Sequence, residues 1–132
     1  MKCGKIHISK NTLKQADREL DYFKRLITFM KEENIHLKNR ISDAVISTKE
    51  EALLNKLEYF QSRSVNYDTI IFIAELDVAA LTNALKKAGD PLSGTAEVII
   101  KETGKIRNDL FLISKDFIQL KSQFNKFLTE KA

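Results

Sequence analysis

Steps of three and four residues from Leu13 meet Leu13, Ala16, Leu20, Phe23, Ile27, Met30, Asn34, Leu37, Ile41 and Ala44, and only Asn34 is not apolar. This spacing holds one stripe on one side of a helix, with Leu13, Leu20, Ile27, Asn34 and Ile41 at heptad position a and the others at d. A second stripe, Tyr22, Leu26 and Phe29 continued by Glu33 and His36, lies roughly 110° round the same helix at about 100° per residue. One partner helix covers only one stripe. The pattern therefore predicts neighbours on two sides, with His36 partly buried among them.

A second seam reads Leu53, Leu57, Phe60, Ser64, Tyr67, Ile71, Ala74, Val78, Leu81, Leu85 and Ala88, with Ser64 its one polar member. Between Gln61 and Thr69 the residues are poor helix formers, which suggests a break, but the phase of the seam runs through without a slip and predicts one helix. Around Ile70, Ile71, Phe72 and Ile73 every face is apolar, which predicts a segment covered all round by the other helices or by a second subunit. The third seam is Ile99, Ile106, Leu110, Ile113, Phe117, Leu120, Phe124 and Phe127. Further apolar residues stand off it at Val98, Ile100, Phe111, Leu112, Ile118 and Leu128.

The punctuation agrees with three helices. Thr12 and Gln15 have the spacing of a capping box at the start of the first, and Ser47 with Glu50 and Thr48 with Glu51 offer two more at the start of the second. Gly89, Asp90 and Pro91 suit, in turn, a left-handed cap, an N-cap and a first helical turn. Gly104 interrupts the third helix, which a close helix crossing or a local kink would explain. The expected fold is all-α: an up-down-up antiparallel bundle of three long helices, about 12–46, 48–88 and 91–131. They form one domain behind a basic N-terminal arm of residues 1–11.

Short turns bring Asn34 level with the stretch from Gln61 to Ser64, so Asn34 and Ser64 are read as a polar layer that fixes register. The apolar surface beyond each single seam favours a homodimer.

With 132 residues, one proline and four glycines, the composition suits a single helical domain. The 22 Lys and Arg exceed the 18 Asp and Glu by a mild +4, and both signs are interleaved along the helices. The cations Lys31, Lys38, Arg40, Lys101, Lys105, Arg107 and Lys115 alternate with carboxylates that repel phosphate, so a nucleic-acid surface is not expected. A single cysteine, Cys3, excludes an internal disulfide and fits a reducing compartment. With no apolar run near the roughly 20 residues that cross a bilayer and no export signal at the start, a cytoplasmic location is expected.

Motifs that carry chemistry are sparse. Glu33 and His36 have the Glu-x-x-His spacing used by carboxylate-bridged metal sites in helical bundles, but the motif occurs once. A homodimer would supply the second copy, with Glu75 or Asp77 as added ligands. Cys3 and His7 lack the further ligands that a tetrahedral site needs. No phosphate-cradling glycine loop is present, and Gly94 offers only ordinary helix-start donors. No cofactor is expected. The pattern resembles that of small bacterial helical proteins built on long heptad hairpins. The leading functional expectation is a non-enzymatic interaction or scaffold bundle that offers a helical face to a protein partner. A metal-binding bundle using Glu33 and His36, which admits an enzyme, is the alternative. A weaker one is contact of Lys2, Lys5 and Lys10 with nucleic acid or anionic lipid.

Overall fold

In the computed structural model, which describes residues 10–88 and 94–131, three helices account for every described residue except 48–50. They are α1 (Lys10–Ser47), α2 (Glu51–Ala88) and α3 (Gly94–Lys131), each of 38 residues. At 1.5 Å per residue each is about 57 Å long. All three pairs of helices pack together, and the α1–α2 contact is the most extensive. The fold is an all-α three-helix bundle.

The core follows the heptads. Leu20, Phe23, Ile27, Met30, Leu37 and Ile41 of α1 meet Leu57, Phe60, Tyr67, Ile71 and Val78 of α2 and Ile99, Leu110, Phe117, Leu120 and Phe124 of α3. Near the α1–α2 turn it is aromatic: the Phe60 ring stands edge-on to Phe124 at 5.3 Å and lies 5.6 Å from Phe127. Two buried positions that complete the α3 seam, Ala96 and Thr103, are invisible to a search for large apolar residues. The Thr103 hydroxyl donates to the Ile99 carbonyl at 2.7 Å, and Thr82 likewise to Val78 at 2.7 Å. Each buried hydroxyl is thus satisfied one turn back along its own helix.

α2 is continuous through 61–69, because its seam stays buried there and Ser64 donates to the Gln61 carbonyl at 2.9 Å. The α1–α2 turn differs from the capping pattern expected. The first α2 bond runs from the Leu54 amide to the Glu50 carbonyl at 3.0 Å, so Glu50 stands at the boundary. Thr48 and Ser47 turn back and donate to the Ala44 carbonyl at 2.6 and 3.2 Å, closing the end of α1. α1 is already helical at Lys10, which places Thr12 inside the helix. The expected reversal at Gly89, Asp90 and Pro91 and most of the N-terminal arm lie outside the described residues.

A Cβ on Gly104 would meet only the Arg107 guanidinium, at 3.6 Å. No helix crossing needs a glycine there. The stripe of Tyr22 and Phe29 is also not covered: both side chains are more than half exposed, and His36 is exposed rather than partly buried. α3 covers only the nearer flank of α1, where Leu26, Glu33 and Arg40 are half-buried.

Candidate interaction surface

The polar layer lies where α1 meets α2. Asn34 is fully buried, and its Nδ2 donates to the Ser64 carbonyl at 2.9 Å and to Asp68 Oδ1 at 2.8 Å. Lys38 holds the other Asp68 oxygen at 2.6 Å. The Ser64 hydroxyl takes no part in the bond to Asn34, since it bonds within its own helix. Asn34 Oδ1 has no partner. Rotating the amide would aim that oxygen at two acceptors, so the orphaned acceptor is the smaller cost.

Charged residues beside the α1 seam bridge to both neighbours. Toward α2, Lys31 pairs with Glu75 at 3.1 Å and Lys38 with Asp68. Toward α3, Glu19 pairs with Arg107, Glu33 with Lys121, and Arg40 donates to Asn125 at 2.6 Å. These are flanking positions of the heptad, where such pairs select partner and orientation. The Lys121 ammonium bonds to Glu33 and holds its carboxyl below the ordinary range against the opposing effect of burial.

Glu33 and His36 therefore stand near one another on α1, but Glu33 is engaged by Lys121. Of the two added ligands weighed above, Glu75 is paired with Lys31 on the α1 side of α2, whereas Asp77 faces α3. They do not converge with Glu33. Among the described residues no group of three or more His, Cys, Asp or Glu is placed to hold a metal ion. Cys3 and His7 lie outside the described residues. No described helix is long and apolar enough to cross a membrane.

The third junction, between α2 and α3, is built differently. Its midpoint is a lock: the Tyr67 hydroxyl donates to Asp116, Arg63 reaches Asp116 at 3.2 Å and Tyr59 at 2.7 Å, and the Tyr67 and Phe117 rings meet edge-on at 5.3 Å. Burial, and then the hydrogen bond to Asp116, push the Tyr67 hydroxyl up to about 12. On either side of the lock a groove opens outward between the two helices. Toward the α1–α2 turn it is a recess of about 930 Å³, whose lining includes Leu53, Lys56, Tyr59, Phe127, Lys126 and Glu130. On the other side Ile70, Ile73, Leu112 and Ile113 line its apolar stretch, and Asp77, Glu102, Lys105 and Asp109 its far end.

Ile73 is 52% exposed and Leu112 61%, and none of the charged residues at either end of the groove forms an ion pair with another described residue. The apolar α2 segment around Phe72 and Ile73 is thus not covered by the other helices. Sequence periodicity flagged it, but the charged ends of the groove became legible only once α2 and α3 were in register. No family model, curated protein or solved structure matches this chain.

Proposed function

We propose that the protein is a non-enzymatic interaction module that binds protein through the outer face of α2 and α3. The observation that carries this reading is the groove, in which exposed Ile73 and Leu112 lie between two charged ends that form no ion pair among the described residues. Apolar area flanked by polar residues is the usual composition of a protein-binding patch. Association of the chain with itself belongs to the same reading. Its test is a crosslinked pull-down of the tagged chain from its native host, comparing wild type with Ile73→Glu/Leu112→Glu. Arg25→Glu/Glu32→Lys, on an exposed part of α1, serves as control. The expected result is a set of captured proteins lost with the groove variant and kept with the control. An unchanged set overturns the assignment of this face.

A further inference from the structure

The geometry points to a second copy of this chain as the occupant of the α2–α3 groove, docked antiparallel about a two-fold axis that crosses the groove at the Tyr67–Phe117 level. This rests on the interaction reading above and names its partner. The argument is one of charge and spacing. One end of the groove carries Lys56 and Lys126 against Glu130, and the other carries Asp77, Glu102 and Asp109 against Lys105. In a two-fold interface each residue before the axis faces the residue equally far beyond it on the other copy.

Tyr67 and Phe117 are in ring contact, as are Phe60 and Phe124, so the two helices run past one another in a fixed register. An axis placed beside Tyr67 on α2 and Phe117 on α3 leaves Lys56 and Asp77 equidistant along α2, about 16 Å on either side at 1.5 Å per residue. Along α3 the same axis leaves Asp109 and Lys126 about 13 Å on either side, and Lys105 and Glu130 about 19 Å. Rotation about that single axis therefore sets Lys56 against Asp77, Lys126 against Asp109 and Lys105 against Glu130 of the other copy, each twice. The same operation carries Ile73 to the level of the exposed Tyr59 ring and Leu112 to that of Gln123.

A parallel arrangement would set each end against its own sign. The groove spans about 45 Å of two helices, each roughly 10 Å across. That offers about 900 Å² per copy, near the 800 Å² per partner of a stable specific interface. Steered charges set the orientation, while the desolvated apolar stretch supplies most of the affinity.

The test uses two charge variants of the full chain in sedimentation equilibrium. Lys56→Glu/Lys126→Glu makes both ends of the groove acidic, and Asp77→Lys/Asp109→Lys makes both ends basic. The expected result is a wild-type dimer, each variant at least tenfold weaker in self-association, and an equimolar mixture that recovers the dimer because opposite ends now meet in both positions. Circular dichroism of each variant establishes that the helices are intact. A wild-type chain that stays monomeric at several hundred micromolar overturns the proposal, as does a mixture no tighter than its components. If the wild type is monomeric yet Ile73→Glu/Leu112→Glu still abolishes capture of a different protein, the occupant is wrong and the interaction face stands. If that variant changes no capture either, the interaction reading fails with it.

Discussion

Along α1 four charges beside the seam find their opposites on a neighbouring helix, Glu19 and Glu33 on α3 and Lys31 and Lys38 on α2, and Arg40 reaches the Asn125 amide of α3. Along the outer side of the α2–α3 junction, among the described residues, only Arg63 and Asp116 pair, and the charges above and below them form no ion pair. The seams beneath are equally apolar, so the difference does not lie in the core. It lies in the flanks: those of α1 are bridged to both neighbouring helices, and those of α2 and α3 away from Arg63 and Asp116 form no ion pair among the described residues. Surface pairs of this kind contribute little to stability, about 0–1 kcal/mol each, so their value lies in orientation.

The largest effect comes from the closed side. Asn34→Asp buries a second carboxylate against Asp68 and removes the donor that Asn34 shares between Asp68 and the Ser64 carbonyl. Breaking a buried network in this way costs about 3–5 kcal/mol. Urea unfolding at neutral pH measures it, and the deficit shrinks in acid as the buried carboxyl protonates. Asn34→Leu goes the other way. It removes the orphaned Oδ1 along with the two bonds of Nδ2, and raises stability by about 1 kcal/mol while relaxing the choice of register. A loss of stability in the leucine variant would mean that the bonds to Ser64 and Asp68 outweigh the unsatisfied acceptor.

On the open side the lock is the point to break. Tyr67→Phe removes the bond to Asp116 and costs about 1 kcal/mol, because Arg63 still holds the carboxylate. The hydroxyl ionises near 12 in the fold and near 10 when unfolded, so the fold favours its neutral form. Its contribution is complete below about pH 10 and is lost as pH rises through the folded value. Ultraviolet titration of wild type should show a late tyrosine transition that is missing in Tyr67→Phe.

How much of this was legible in the sequence differs by level. Heptad phase gave all three helices and the unbroken α2, because large apolar side chains every third or fourth residue admit one buried side. It missed Thr103 and Ala96, since a small or hydroxylated residue in a seam looks like a gap. It overstated the cover of Tyr22, Phe29 and His36, because a third helix at this angle buries the flanking heptad position and leaves the next one open. The charged ends of the groove are distant in sequence, and no single-helix pattern relates Lys56 to Lys126. Their juxtaposition depends on the register of two helices, which the Tyr67–Phe117 contact sets.

Gly104 lies on α3 near the Arg107 that pairs with Glu19, and it has no packing reason to lack a side chain. Gly104→Ala adds a methyl in ordinary contact with the guanidinium and lowers the entropy of the unfolded chain. Stability should rise by about 0.4–1 kcal/mol. A fall in the unfolding midpoint would show that the Arg107–Glu19 pair is disturbed.

The smallest effect is the sharpest probe of the α1 flank. Lys121 holds the Glu33 carboxyl below its ordinary range, so folding favours its charged form. The resulting stability is present above the unfolded value of about 4.3 and is lost as pH falls through the lower folded value. Glu33→Gln keeps the shape and the half-buried position but removes the charge, so its cost at neutral pH is less than about 1 kcal/mol. The difference from wild type should vanish in acid, where both side chains are neutral, and should diminish with salt. A cost that persists unchanged at low pH would mean that Glu33 acts through packing against α3, and that the flanks of α1 are closed by shape rather than by charge.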